Sequence, residues 1–242
     1  MKNYPPDLAE QFRREVEGEV RFDRYSKVLY STDASVWQIE PIGVVIPRNA
    51  DDVAALTSVA AKNRIPILAR GGGTSLSGQT VGHAVQVDFA KYMHKILECN
   101  TEERWVRVQP GVVQDQLNSY LEPLGFGFGP DTSSSSRATI GGMIGNNSAG
   151  SHSIMYGKTI DHVLELKAVL SDGSEVVLDP AEGSVLGVRA RADSFEGHLY
   201  RDLLALGDRW RDEILARYPK LMRRVSGYNL DELIVNPEGG FG

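Results

Sequence analysis

The sequence predicts an α+β chain in two lobes, a small N-terminal βαβ lobe and a larger lobe with a mainly antiparallel sheet and flanking helices. Three observations predict it. Residues 43–69 read strand, helix, strand; residues 163–178 read as a hairpin; and residues 196–217 return to a helical pattern. The expected organisation is a lead-in over 1–40, a first lobe over 41–110 and a second over 111–242.

Within the lead-in, Leu8 to Val16 reads as a short charged helix and the residues up to Tyr30 as a polar approach. Val44, Val45 and Ile46 form an apolar strand ended by Pro47. Asn49 then offers a helix N-cap, with Asp51 and Asp52 in the first turn where the helix dipole favours negative charge. Val53, Leu56, Val59 and Ala60 recur at helical spacing, and Ile65 to Ala69 is an apolar run too short for a helix. Strands follow over 84–89, 95–98 and 104–108, then a helix near Val112 to Leu121 with Val113, Leu117 and Tyr120 on one side. In the later hairpin, Ser171-Asp172-Gly173-Ser174 supplies the turn, with glycine where positive φ is expected.

Composition narrows the function. The 26 basic and 32 acidic side chains give a formal charge of −6, which argues against a nucleic-acid binder that relies on phosphate neutralisation. Cys99 is the only cysteine, so the chain can form neither an internal disulfide nor the thiolate set of an iron–sulfur cluster or structural zinc site. The five histidines show no metal-ligand spacing, so no metal is expected. No apolar stretch approaches a membrane span or a secretory signal, and a soluble, cytoplasmic protein is expected.

The segment Arg70 to Gln79, RGGGTSLSGQ, sets three consecutive glycines after a predicted strand. Glycine accepts positive φ and carries no Cβ, so backbone N–H groups can converge there on an anion. A Walker loop needs Gly-Lys-Ser/Thr, and no lysine occurs between Lys62 and Lys91; a Rossmann turn needs its glycines to open a helix, and here a strand follows. Phosphates would therefore be held by a nest of loop amides.

A second cluster spans residues 129–157, GPDTSSSSRATIGGMIGNNSAGSHSIMYG. Ile140, Met143 and Ile144 lie at helical spacing behind Thr139, a fair N-cap. Gly141, Gly142 and Gly145 would each cost such a helix about 1 kcal/mol relative to alanine. A flat or bulky group lying against this backbone, with Asn146, Asn147 and Ser148 as polar contacts, reconciles the helical pattern with its glycines.

These segments carry a resemblance. DRYSKVLYSTDAS (23–35), PIGVVIPRNADDV (41–53), RGGGTSLSGQTVG (70–82), VQPGVV (108–113), the 129–157 cluster and SGYNL (226–230) resemble the FAD-binding domain of the vanillyl-alcohol oxidase and para-cresol methylhydroxylase (PCMH) superfamily. The branch most similar is the group of glycolate oxidase subunits, D-lactate dehydrogenases and D-2-hydroxyglutarate dehydrogenases. The resemblance implies a PCMH-type FAD-binding fold in which Arg70, Gly71, Gly72, Gly73, Thr74, Ser75, Gly78 and Gln79 wrap the FAD pyrophosphate. It implies that Pro130, Asp131, Thr132 and Ser133 lie beside the isoalloxazine, and that Thr139, Ile140, Gly141, Gly142, Asn146, Gly150, Tyr156 and Gly157 form a second flavin-binding run. Pro47 matches a position near the adenine end.

Some members attach FAD covalently through a histidine where this sequence has Thr74, so noncovalent FAD is expected. His83 reads as a turn histidine; for His152, inside the second cluster, a place facing the flavin or substrate is only the minor alternative. In the family a substrate cap follows and carries the catalytic base, whereas this sequence stops at Gly242. No catalytic residue is therefore expected within it, and the cap and an iron–sulfur region are expected elsewhere in the same protein or in a partner subunit. For the intact enzyme the resemblance implies a flavoprotein oxidoreductase that oxidises the CH–OH of a D-2-hydroxy acid (D-lactate, glycolate or D-2-hydroxyglutarate), with peripheral attachment to the inner membrane left open. A noncatalytic FAD or nucleotide-binding module, and another flavoenzyme of the superfamily, are the alternatives.

Overall fold

The computed structural model describes residues 4–180, 183–221 and 227–234, without the side chains of residues 183 and 184. It divides into two compact units, one ending at His162 and the other beginning at Val163. Residue 110 falls inside the first.

The first unit opens with helix α1 (Leu8–Glu15), strand β1 (Glu19–Arg21) and helix α2 (Arg24–Leu29), so the approach that reads as polar in sequence is folded. Strand β2 (Gly43–Ile46), helix α3 (Ala50–Asn63), strand β3 (Ile67–Arg70) and strand β4 (Val85–Asp88) follow. The sheet runs β1-β2-β4-β3, with β1 antiparallel to β2 and the other pairs parallel. The strand–helix–strand reading of 43–69 holds, but β4 inserts between its two strands. As the edge strand, β3 leaves Ile67 38% exposed, whereas Val44, Val45 and Val85 on the interior strands are buried.

Helix α3 forms where its signals stand. Asn49 Oδ1 accepts from Asp52 N at 2.8 Å, the expected cap, and Leu56 and Ala60 are buried. The Asp52 carboxylate accepts from Glu17 N (2.7 Å) and Arg48 N (2.8 Å), tying the loop before β1 and the end of β2 to the start of the helix. Phe12 and Leu8 of α1 close the core over Val45, Leu56, Val85 and Val87.

A second core gathers strand β5 (Ile96–Asn100), its antiparallel partner β6 (Trp105–Val108), helix α4 (Gln114–Leu121) and helix α5 (Ile140–Asn146) around Val112, Leu117, Ala138, Ile140 and Met143. The buried side of α4 is Gln114, Leu117 and Leu121; Tyr120, expected on that side, is 45% exposed. The i, i+3, i+7 set wins because a buried amide, Gln114, occupies a place where an apolar residue would be sought. Short helix α6 (Ser153–Tyr156) completes the unit.

The second unit contains the hairpin of β7 (Leu166–Val169) and β8 (Glu175–Leu178), antiparallel as read, with Gly173 at φ 91° in its turn. Helices α7 (Gly183–Arg189) and α8 (Phe195–Arg217) follow, and α8 packs against a 3-10 turn over Leu230–Leu233, where Gly207 leaves room for the Leu233 carbonyl. Of the SGYNL segment, Ser226 lies outside the described residues.

Candidate functional site

The glycine loop joins β3 to β4, neighbouring parallel strands, so it must travel from the C-terminal end of one to the N-terminal end of the other. Such a crossover usually contains a helix, but residues 71–84 form none. Gly73 (φ 64°) and Gly78 (φ 78°) take the left-handed turns that this path needs. Among the described residues, the amides of Gly71, Gly72, Gly73, Thr74 and Ser75 donate to no protein acceptor. Five consecutive backbone donors without a protein acceptor are what an anion nest requires.

The loop is held from outside by residues 30–38. Ala34 N donates to Gly73 O at 3.0 Å. Asp33 Oδ2 accepts from Thr80 Oγ1 at 2.9 Å and Oδ1 accepts from Ser35 N at 2.8 Å. Burial works against the Asp33 charge, but these hydroxyl and amide donors outweigh it and hold the carboxyl below the usual carboxylate range. Arg70 is the clamp. Its Nη2 donates to Thr32 O at 2.8 Å, and its Nη1 lies 3.2 Å from Gln86 Oε1, 3.3 Å from Thr80 O and 3.4 Å from Tyr30 O. The guanidinium also stands 5.3 Å over the Tyr30 ring. Gln86, fully buried in β4, donates from Nε2 to Tyr30 O at 2.8 Å, and Tyr30 Oη donates to Asp88 Oδ2 at 2.5 Å. Burial and the Asp88 carboxylate push the Tyr30 phenol well above its ordinary value, keeping it a neutral donor.

The two glycine clusters, distant in sequence, meet. A Cβ at Gly71 would overlap Thr139 Oγ1, and one at Gly72 would overlap Arg137 O. Gln79 Nε2 donates to Asn146 Oδ1 at 3.2 Å. Thr139 caps α5 as expected, its Oγ1 accepting from Gly142 N at 3.3 Å, and Ile140 and Met143 are buried. The helix's three glycines divide by cause. Gly141 abuts Pro110, where a Cβ would come within 2.6 Å of the proline Cβ, so packing requires it. Among the described residues outside the helix's own backbone, nothing lies within 4 Å of a Cβ placed at Gly145, and one at Gly142 meets only Thr139 Oγ1, at 3.1 Å. A Cβ at Gly142 would press on the capping hydroxyl, whereas Gly145, one helical turn on, has no packing reason to be glycine.

The remaining expected residues form the adjoining wall. Gln114 donates through Nε2 to Pro130 O and accepts at Oε1 from Thr132 Oγ1 at 2.8 Å. Asp131 accepts from His152 N at 2.9 Å and Ser151 Oγ at 2.9 Å, and its Oδ2 lies 2.7 Å from His152 Nδ1. Burial opposes the Asp131 charge, while the His152 amide, the Ser151 hydroxyl and the imidazole hold its carboxyl below the usual range. Gly150 is obligatory, since a Cβ would overlap the Asp131 carbonyl. Ser133 and Tyr156 are exposed. Gly157, at φ 78°, ends α6 against Asp161. Pro47 stands apart, buried at the end of β2 beside Gly18. His83 Nδ1 lies 3.2 Å from Glu40 O, as a turn histidine would.

Sequence reading missed the 30–38 strap, Gln86 and Gln114. Their signal, a lone amide in an apolar strand or on a helix's buried side, gains meaning only when its partners are known. Asn147, the left-handed C-cap of α5 (φ 44°), accepts from Ile160 N at 3.1 Å while its buried Nδ2 has no partner among the described residues. That orphaned donor, the five free amides and the bare α5 position fit a large ligand with an anionic centre and flat rings, as FAD is. Among the described residues no His, Cys, Asp and Glu cluster could hold a metal, and no helix is long and apolar enough to cross a membrane.

The chain is 42% identical over 216 residues to a D-2-hydroxyglutarate dehydrogenase of Pantoea ananatis, covering 88% of this chain and 21% of that protein. It is 32% identical over 240 residues to the glycolate oxidase subunit GlcD of Bacillus subtilis, covering 98% of this chain and 43% of that one. Over 158 residues it is 34% identical to a mitochondrial D-lactate dehydrogenase [cytochrome] of Kluyveromyces lactis, covering 64% of this chain and 27% of that one. The chain thus spans about a fifth of the Pantoea relative's length and under half of the others. Among solved structures, an alkyldihydroxyacetonephosphate synthase superposes with a TM-score of 0.65 at 22% identity, over 74% of this chain and 35% of that one, and so shares the mixed helix and sheet fold. The family model described as FAD binding domain matches residues 41–179, which include both glycine clusters and most of the chain, and the protein belongs to that family.

Proposed function

We propose that this chain is the flavin-holding part of a dehydrogenase acting on a D-2-hydroxy acid, with D-2-hydroxyglutarate the substrate favoured over glycolate and D-lactate. The Gly71–Ser75 amides carry the reading: five consecutive donors suit a diphosphate, and among the described residues no protein acceptor takes them. Similarity to dehydrogenases so named supports the substrate class. Bound FAD would supply a two-electron acceptor for oxidation of the CH–OH group. The chain's own share is to hold the diphosphate on the loop amides, to offer the bare face of α5 at Gly145, and to present Asn146 and Asn147 as polar contacts.

Attachment is noncovalent in this reading, because Thr74 is no nucleophile toward a flavin ring. Residues 41–110 would serve as the diphosphate lobe and 111–242 as the ring-side lobe, with residues 1–40 leading in. Proton removal from the substrate falls to a substrate-binding cap, and electrons pass on to an iron–sulfur region, both supplied by the same protein or a partner subunit. The setting is cytoplasmic, with peripheral attachment to the inner membrane.

The test is a titration of the purified chain with FAD, followed by flavin fluorescence, and then acid precipitation. Saturable binding with all the flavin recovered in the supernatant is expected; no binding refutes the cofactor reading, and flavin in the pellet refutes noncovalent attachment. Anaerobic bleaching of the flavin by D-2-hydroxyglutarate, but not by its L-enantiomer, is expected where this segment is joined to a substrate-binding cap.

A further inference from the structure

The strap that holds the glycine loop carries an indole that the fold leaves largely uncovered. Trp37 is 58% exposed, its neighbour Val36 93%, and Leu76 in the glycine loop 80%. Yet the indole is not loose. Trp37 N donates to Ser35 Oγ at 3.1 Å, Ser35 N is held by Asp33, and Thr32 pairs with Gln38 in an isolated antiparallel bridge that brackets the residue. Its ring edge lies against the loop itself: a Cβ at Gly78 would come within 2.6 Å of Trp37 Cδ1. Gly78 is one of the two loop glycines at positive φ. An aromatic ring therefore stands at the far end of the glycine loop, its edge on Gly78 and much of its surface bare.

Sites for nucleotides pair a few polar donors with apolar or aromatic walls, because the ligand has a charged middle and flat rings. The nest provides the donors; Trp37, with apolar Val36 beside it and Leu76 in the loop, provides a wall. We infer that Trp37 is a stacking residue of the cofactor site, taking on its indole face one flat heteroaromatic ring of a dinucleotide whose diphosphate lies on the Gly71–Ser75 amides. The inference rests on the FAD reading above and adds to it a contact from outside both glycine clusters. Stacking on an aromatic side chain tolerates any flat ring, so adenine and isoalloxazine are distinguished by experiment.

The test titrates FAD, ADP, FMN and inorganic pyrophosphate into the 242-residue chain and into Trp37→Ala, Trp37→Leu and Trp37→Phe. Far-UV circular dichroism checks the fold of each. Leucine fills much of the space beside Gly78 without a stacking face, so it serves if alanine perturbs the loop. FAD is expected to quench tryptophan emission in the wild type, and to quench less in Trp37→Phe, where only Trp105 and Trp210 still emit. Trp37→Ala and Trp37→Leu are expected to bind FAD about tenfold more weakly, with Trp37→Phe restoring most of the affinity and pyrophosphate binding unchanged throughout. The ring in contact is adenine if ADP shows the loss and isoalloxazine if FMN does. Unchanged FAD affinity in the alanine and leucine variants overturns the inference while leaving the FAD reading intact. An equal loss for pyrophosphate also overturns it, reducing Trp37 to a wedge that shapes the loop. A wild-type chain that binds pyrophosphate but not FAD defeats both readings.

Discussion

Glycine is retained in this site for two opposed reasons, and substitution separates them. At Gly150 the carbonyl of Asp131 occupies the place of a Cβ, so the 129–133 and 150–152 segments close on each other only without one. Gly150→Ala is expected to cost about 2–3 kcal/mol, because the obstacle is backbone that cannot rotate away; chemical denaturation measures it. At Gly145 an added Cβ would meet nothing within 4 Å among the described residues outside the helix backbone, and the residue sits inside a helix. There alanine recovers helix propensity and is expected to stabilise the ligand-free chain by about 0.5–1 kcal/mol. If the bare face of α5 receives FAD, the same methyl group intrudes, and FAD binding weakens by about tenfold. A higher Tm without FAD together with a higher Kd for FAD is the expected pair of results. A higher Tm with unchanged affinity would take α5 out of the cofactor site.

At the scale of elements, the glycine loop is held by the 30–38 strap as well as by its own glycines. Arg70 reaches that strap through a planar fork whose donors go to carbonyl and amide oxygens of the protein. Lysine carries a point charge and no fork, so Arg70→Lys is expected to destabilise the chain by about 1–2 kcal/mol and to raise the Kd for FAD. Arg70→Gln discriminates a clamp from a phosphate ligand. A guanidinium turned toward carbonyls leaves the salt dependence of FAD binding unchanged when it is removed, whereas one touching phosphate flattens that dependence. Fluorescence titrations across a range of salt concentrations read the difference. Sequence reading succeeded where signals are local: the caps at Asn49 and Thr139, the turn at Gly173 and the absence of a helix after the loop all lie within a few residues of what they determine. It missed β1, α2 and the strap, whose meaning depends on partners tens of residues away: β1 is three residues completed by β2, and the strap's polar groups pair with residues 70–88. The two glycine clusters were legible as segments, but their division into loop, clamp and bare helix face was not.

For the molecule as a whole, the carboxylates set its response to acid. Glu19, at the sheet's edge in β1, binds the Lys91 ammonium, the Tyr92 hydroxyl and the Arg21 guanidinium. The Lys91 and Tyr92 contacts are the leading causes that hold its carboxyl down to about 2, against 4.5 in an unstrained chain. Asp33 and Asp131, which brace the loop and the 150–152 turn, are held low as well. A group whose folded pKa is depressed binds more protons when unfolded, so its contribution to stability is complete above the unfolded pKa and disappears as pH falls through the folded one. For Glu19 that window runs from about 4.5 down to about 2. The chain is therefore expected to keep its stability from neutral pH to about 5 and to lose it progressively below that. Glu19→Gln should lower stability at pH 7, where the charged pair is lost, and should flatten the decline below pH 4.5, so that the two curves converge toward pH 2. Urea denaturation at half-unit pH intervals measures both curves. Parallel curves would mean that Glu19 is equally accommodated in the unfolded chain and that its cluster with Lys91, Tyr92 and Arg21 does not tie β1 to the sheet. FAD bears on the same curves. If the cofactor binds only the folded chain, FAD at a hundred times its Kd adds about 2.7 kcal/mol. That gain should shrink at the pH where Asp33 and Asp131 protonate, because the loop that binds it is then no longer braced.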